Sequence, residues 1–347
     1  MAKKPFSTRR LPAEWEKQGA ILLALPHSGS DWSAYLDDIL PFYKKLIEAI
    51  THFEKVLLIC PEARKAQQWL GAAAADRTIF AEIPTNDTWA RDFGAITVEE
   101  NALPLLLDFE FNGWGLKFAA NLDNQINAQL AALGAFGASA MRKTGWILEG
   151  GSIESDGAGT LMTTQKCLFA PNRNALWSVE DFELAFTEEF GVKRVLWLEN
   201  GHLENDDTDA HIDTLARFCD PQTIAFTACT DKGDRHYEPL LKMRRELEAF
   251  RACDGRPYRL IPLPLPKLLY DGKRLPATYA NFLIINGAVI VPTYGVSEDS
   301  EALCALKSAF DGREIIPIDA SAAARQYGSV HCLAMQFPAS LFSGTDR

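Results

Sequence analysis

The sequence predicts a mixed α/β protein built from short strands and modest helices. Short apolar runs rich in β-branched residues recur along the chain, and between several of them apolar residues fall at helical spacing. The glycine patterns of doubly wound nucleotide folds, G-x-G-x-x-G after a first strand and G-x-x-x-x-G-K-[ST], do not occur. The strand-like runs are 20–25, 55–60, 103–108, 161–164, 194–198, 223–227 and 281–292. Helical patterns cover 35–50, 121–133, 179–190, 237–250 and 300–310. Ser178, with Asp181 close behind, fits a helix cap with an acidic first turn, and Ser300 is expected to cap the last helix in the same way. Turns are signalled at Asp156-Gly-Ala-Gly159 and Tyr270-Asp-Gly-Lys273.

The 347 residues, 47% hydrophobic and 23% charged, are enough to bury a core, and no Pro/Gly/Ser linker or low-complexity tract divides them. One domain over 1–347 is the expectation. A net charge of −11 argues against nucleic acid, whose phosphates need a basic face, and favours neutral or cationic partners. The start, Met1 to Arg10, is basic with no apolar segment behind it, which argues against export, and no run is long enough to span a bilayer. Seven cysteines without a C-x-x-C pair make no disulfide scaffold, so a reducing cytoplasm is expected; Cys60 reads as a buried core thiol. Whether identical copies assemble into a homo-oligomer stays open.

Four polar clusters, well separated along the chain, suggest structural repeats that each add one piece to a shared site. In Thr85-Asn-Asp-Thr-Trp-Ala-Arg-Asp-Phe-Gly94, the residues Asp87, Arg91 and Asp92 crowd beside Trp89. Carboxylates match the parallel N–H groups of a guanidinium and an indole face attracts the same flat cation, although an Arg91–Asp salt bridge beside a core Trp89 is the plainer reading. In Gly145-Trp-Ile-Leu-Glu-Gly-Gly-Ser-Ile-Glu154, Glu149 stands between apolar residues and two glycines that permit a close approach. A bulged strand with Glu149 satisfied by local amides explains it equally.

The richest cluster is Gly201-His-Leu-Glu-Asn-Asp-Asp-Thr-Asp-Ala-His-Ile-Asp-Thr214. If 210–218 is extended, His211 and Asp213 project from one face. Acid–base catalysis, a divalent metal and a solvated acidic loop all remain open, but with six histidines and none at a recognised partner spacing, metal is the weaker of the two chemical readings. Last comes Gln326-Tyr-Gly-Ser-Val-His-Cys-Leu-Ala-Met-Gln-Phe337, where Cys332 is either a core thiol or a nucleophile served by a distant histidine and acids.

Taken in order, these clusters resemble the agmatine deiminase family, a peptidyl-arginine-deiminase-like group within the guanidine-modifying (pentein) superfamily. The likeness runs from Leu11-Pro-Ala-Glu-Trp-Glu and Gln18-Gly-Ala through Asn86–Gly94, Phe111-Asn-Gly-Trp-Gly115 and Leu148-Glu-Gly-Gly-Ser-Ile153. It continues through Leu161-Met-Thr-Thr-Gln-Lys-Cys-Leu168, Asn172-Arg-Asn174 and Asp207-Thr-Asp-Ala-His-Ile-Asp213 to Tyr279-Ala-Asn-Phe-Leu-Ile-Ile-Asn-Gly287 and Val330-His-Cys332. The resemblance implies an α/β-propeller of the pentein kind, five ββαβ-type units around a pseudo-fivefold axis. It implies Cys332 as nucleophile, His211 as general acid/base, and Asp92 and Asp213 as the carboxylates that grip a small guanidinium substrate. Glu149 would orient His211, Trp89 would wall the pocket, and Trp114 and Asn281 would also serve the substrate. No metal and no organic cofactor is implied. Agmatine is the expected substrate, with free or peptidyl arginine the alternative and a non-catalytic binding protein the alternative of another class. Glu204, Asp206, Asp207 and Asp209 favour a substrate tail ending in an ammonium, while Arg91 argues the other way. Two departures stand out: Tyr327-Gly-Ser-Val-His-Cys332 replaces the glycine-rich loop common before the nucleophile, and Ala210 stands where glycine commonly precedes the histidine.

Overall fold

The computed structural model describes residues 9–342, so most of the basic start and the two ends of the expected single domain lie outside the described residues. Five open sheets of three or four strands share one arrangement: an antiparallel pair, then a helix, then a third strand parallel to the second. One sheet runs Ile96–Glu100, Leu103–Glu110, helix Ile126–Ala132, Ala140–Ile147, with Arg9–Arg10 on its edge. The next runs Ile153–Ser155, Thr160–Thr164, helix Val179–Phe190, Arg194–Leu198. It is followed by Ala216–Asp220, Thr223–Ala228, helix Tyr237–Ala249, Arg259–Pro264. The fourth runs Leu283–Ile285, Ala288–Thr293, helix Asp299–Ala309, Glu314–Asp319. The fifth joins the two ends of the chain: Met335–Pro338 pairs antiparallel with Gln18–Ala24, and helix Leu36–Thr51 leads to Lys55–Cys60 and then Thr78–Glu82.

The local chemistry explains these elements. In helix Leu36–Thr51 the buried positions Ile39, Phe42, Tyr43, Leu46, Ile47 and Ile50 form one apolar stripe, and Asp37 and Asp38 complement the helix dipole in the first turn. Helix Val179–Phe190 starts at the expected cap, Ser178, which forms a reciprocal capping box with Asp181. It ends at Gly191, whose φ of 67° and closeness to the Arg9 carbonyl leave no room for a side chain. The strand runs 56–59, 283–285 and 288–291 are wholly buried, and their near-continuous aliphatic character reflects cover on both faces.

Three expectations need correction. The run 281–292 is two strands, because Gly287 at φ 76° turns the chain back between Ile285 and Ala288. Ser300 does not cap its helix: the helix begins at Asp299, whose carboxylate accepts from the amides of Tyr294, Gly295 and Val296 and from the Tyr279 hydroxyl. The segment 210–218 is not extended throughout. Ile212–Thr214 forms a 3-10 turn closed by the amide of Thr214 on the His211 carbonyl (3.2 Å), and the strand begins only at Ala216. No helix among the described residues is long and apolar enough to cross a membrane.

Candidate active site

Each of the five sheets sends the segment just before the first strand of its antiparallel pair toward one place. Asp92 precedes Ile96, Glu149 and Gly151 precede Ile153, His211 and Asp213 precede Ala216, Asn281 precedes Leu283, and Cys332 precedes Met335. The two glycines after Glu149 are where these segments meet. A side chain on Gly150 would run into the Arg91 carbonyl. On Gly151 it would lie 2.7 Å from His211 Nδ1, 2.8 Å from Asp92 Oδ1 and 3.1 Å from Asp213 Oδ2. His211 and Asp213 therefore do converge, by way of the turn between them rather than by alternation along a strand.

Asp92 sits on the short helical turn Ala90–Phe93, anchored to the Cys332 segment by the Arg91 amide on the Cys332 carbonyl (3.2 Å). Its oxygens accept from the Gly151 amide and the Trp114 indole N–H, each at 3.0 Å. Trp114 reaches it from a left-handed backbone conformation, φ 55°. Asp213 Oδ2 lies 2.7 Å from His331 Nδ1 and accepts from Asn281 Nδ2 at 3.2 Å, while its buried Oδ1 has no hydrogen-bond partner among the described residues. Cys332 Sγ lies 3.1 Å from Asn281 Nδ2 and 3.6 Å from Asp213 Oδ2, and the Cys332 amide donates to Asn281 Oδ1 at 3.2 Å. Asn281 thus holds the thiol, its backbone and Asp213 in one fixed relation.

His211 is fully buried, with Nδ1 3.7 Å from Asp92 Oδ1 and Nε2 3.8 Å from Glu149 Oε2, and neither ring nitrogen has a hydrogen-bond partner among the described residues. Glu149 is not satisfied by local amides. It is held by Arg173 Nε, 2.9 and 3.0 Å from its two oxygens, and Arg173 continues to Asp209 at 2.7 Å. The arginine expected to pair with its neighbouring aspartates does something else. Arg91 is buried away from them, donating to Gln336 Oε1 at 2.6 Å with Glu14 3.8 Å away, and so plays no part in judging the substrate tail.

The electrostatics follow from burial and crowding. Burial opposes protonation of His211, yet Asp92, Cys167 and Glu149 hold the imidazole well above its usual range. Burial lifts Asp92 to about 6; His211 opposes this, and Asp213 and Glu149 add to it. Asp213 is pushed up by burial but held below the usual carboxylate range by the hydrogen bond and charge of His331. Burial, reinforced by Asp213 and Asp92, lifts the Cys332 thiol well above the usual cysteine range.

Above Cys332 and Asp92 opens a cavity of about 270 Å³. Trp89, Trp114, Phe118 and Tyr327 form its aromatic walls, and Asp31, Asp87 and Asp207 bring carboxylates to it. Of the four acids expected at the tail, Asp207 alone lines the cavity. Glu204 pairs with Arg235, Asp206 accepts from the amides of Thr208 and Ala210, and Asp209 pairs with Arg173 and Lys117. Arg325 also reaches the cavity, but it is paired with Asp38 and stacked 4.7 Å over Tyr270. Both departures from the resembled loops are left-handed: Ala210 has φ 68° and Tyr327 φ 69°, positions where glycine would cost less.

Among the described residues two groups have metal-ligand composition, Glu149–Cys167–His211 and Glu14–Glu154–His331. In each, the carboxylates are already paired with a guanidinium: Arg173 on Glu149, and Arg217 on both Glu14 and Glu154. Glu14, Arg173, Arg217 and His331 were given no role by the sequence. The signal for Glu14, Arg173 and His331 lay only in the segments 11–16, 172–174 and 330–332, and Arg217 lies outside all three; their significance is the partners they meet in space.

The chain matches known proteins along nearly its whole length. A P. gingivalis structure provisionally named an arginine deiminase is 46% identical, covering 95% of this chain and 98% of that one, with a TM-score of 0.91. A cysteine-to-serine variant of C. jejuni agmatine deiminase with substrate bound is 41% identical, covering 97% of this chain and 98% of that one, also with a TM-score of 0.91. A Marinomonas sp. protein provisionally named an agmatine deiminase is 32% identical over 350 residues, 95% of this chain and 94% of its own. The family model of the Porphyromonas-type peptidyl-arginine deiminases matches residues 10–338. The chain belongs to the Porphyromonas-type peptidyl-arginine deiminase family.

Proposed function

We propose that this protein is an agmatine deiminase, hydrolysing the guanidinium of agmatine to N-carbamoylputrescine and ammonia through a covalent intermediate on Cys332. The observation that carries the reading is a set of buried polar atoms with no hydrogen-bond partner among the described residues, Asp213 Oδ1 and both ring nitrogens of His211, on the two side chains that adjoin the cavity-lining Cys332 and Asp92. Such atoms are rare in folded proteins and are expected where a ligand supplies the missing partners. A guanidinium, planar with N–H pairs on its edges, fits between two carboxylates, and Asp92 and Asp213 would hold its carbon for attack. Its charge would also offset the carboxylates around Cys332 and so add to the stability of the thiolate in the complex.

Attack by Cys332 Sγ on the guanidinium carbon forms a C–S bond and a tetrahedral adduct. His211, held protonated by its acidic neighbours, gives a proton to the departing nitrogen, and ammonia leaves a thiouronium on Cys332. The now neutral His211 takes a proton from water, whose oxygen attacks the same carbon; the C–S bond breaks and the ureido product and thiol separate. Glu149, fixed by Arg173, orients His211. Trp89 and Trp114 wall the substrate, and Asn281 positions the nucleophile. Asp31, Asp87 and Asp207 suit the primary ammonium of agmatine. Free or peptidyl arginine is the second reading, favoured by Arg325 at the cavity, but the ion pair of that side chain with Asp38 weighs against it. The five like sheets fit a single pentein domain of five ββαβ-type units about a pseudo-fivefold axis. Seven free cysteines suit a reducing cytoplasm. Product analysis after incubation with agmatine, arginine and a blocked arginine peptide tests the reading: N-carbamoylputrescine formed in preference to either citrulline product supports it, and the reverse preference replaces it.

A further inference from the structure

Behind the nucleophile, on the side away from the substrate cavity, lies a second small cavity of about 50 Å³, lined in part by Glu14, Arg91, Glu154 and His331. Between the two cavities runs an unbroken line of polar contacts. Cys332 Sγ is 3.6 Å from Asp213 Oδ2, the same oxygen is 2.7 Å from His331 Nδ1, and His331 Nε2 is 2.8 Å from Glu14 Oε2. Both ring nitrogens of His331 therefore face carboxylate oxygens at hydrogen-bond length. An ionised carboxylate only accepts and a neutral imidazole has only one N–H, so one contact lacks its proton unless the ring is doubly protonated. The geometry is that of a preformed place for one additional proton.

We propose that Cys332 is deprotonated through a buried relay in which its proton crosses Asp213 to His331, where Glu14 stabilises it beside the rear cavity. The S–H bond breaks and its electron pair stays on sulfur; the proton passes to the ionised Asp213 at Oδ2 and from there to His331 Nδ1, giving thiolate and imidazolium with no change in net charge. The proton returns by the same path when the thiol is regenerated. His331 and Glu14 touch no substrate and act through Asp213 as positioning residues, while His211 keeps its separate duty toward ammonia and water. The charged groups facing His331 are Asp213, Glu14, Arg217 and Arg91, with Glu154 beside Arg217; those facing Cys332 are Asp213 and Asp92. Burial, with Arg217 and Arg91, pushes His331 below the usual imidazole range, which suits a carrier that gives its proton back. Glu14, pushed up by burial but held ionised by Arg217 and His331, stays an acceptor throughout.

The inference rests on the reading of Cys332 as nucleophile, and the test separates the two. Alkylation of Cys332 by iodoacetamide without substrate, followed by mass spectrometry across pH, reports the thiolate. In the wild type the rate should level off on the acid side, because transfer within the protein replaces release to solvent. Glu14→Gln should lower that plateau about tenfold or more and lower kcat on agmatine with it, leaving KM within about twofold. An electrostatic role alone has the opposite sign, since removing a buried carboxylate eases thiol ionisation and speeds alkylation. His331→Gln, which cannot carry the proton, should lose the plateau as well and serves where Glu14→Gln fails to fold. A wild-type rate that keeps falling with pH, a plateau that survives in either folded variant, or faster alkylation in Glu14→Gln overturns the relay. A wild type that shows the plateau but does not consume agmatine overturns the substrate reading and leaves the relay standing.

Discussion

The Gly151 amide donates to Asp92 Oδ1 at 3.0 Å, and the space above its Cα is already taken by His211, Asp92 and Asp213. A glycine here is a packing requirement of the site, not a flexible hinge. Gly151→Ala should fold, because the crowding falls on side chains that can move by a few tenths of an ångström. Those side chains are the ones that must not move, so kcat/KM on agmatine should fall about a hundredfold. Steady-state kinetics with thermal melting checks this; wild-type efficiency in a folded Gly151→Ala would show that the convergence is incidental.

Acid should switch off binding through Asp92. Its carboxyl titrates near 6 and must be ionised to hold a cation, so kcat/KM falls as pH drops through about 6. At the alkaline end His211 keeps its proton above the usual imidazole range, so activity should persist there before declining. A pH profile of kcat/KM on agmatine measures both limbs. An acid limb centred near the ordinary aspartate value would place Asp92 outside the grip.

The two carboxylates should fail alike. Asp92→Asn and Asp213→Asn preserve shape but remove a charge, and a charge-assisted contact of this kind is worth about 1.5–3 kcal/mol. Each variant should lose about tenfold or more in kcat/KM, with far-ultraviolet circular dichroism unchanged. Two folded variants of wild-type efficiency would reopen the substrate class.

Much of this was legible in the sequence, and the reasons for the rest are physical. The capping box at Ser178 and the stripe in 36–51 are local, so pattern alone located both helices. The phase of His211 and Asp213 was misread because a single 3-10 turn lies between Thr208 and Ala216, and turns of that size leave little periodicity. Arg91 looked like a partner for its neighbouring aspartates, yet the adjacent Cys332 segment draws it to Gln336. Glu14 could not be assigned because a buried carboxylate acquires meaning only from its partners, here Arg217 and His331, both over 200 positions away.

Chelation should leave activity unchanged. Arg173 and Arg217 already pair with the carboxylates of both groups of ligand composition, and the proposed chemistry activates water with His211. Activity lost in EDTA and restored by zinc would return His211 and Glu149 to the metal reading.

The central claim, that Cys332 attacks a guanidinium carbon, is tested most directly by Cys332→Ser. This change keeps the shape of the side chain and removes the nucleophilicity of sulfur. Ammonia release from agmatine and agmatine binding by calorimetry should be measured on the same folded sample. The account predicts that ammonia release falls to background while agmatine still binds. Ammonia release at a near wild-type rate from Cys332→Ser would contradict it.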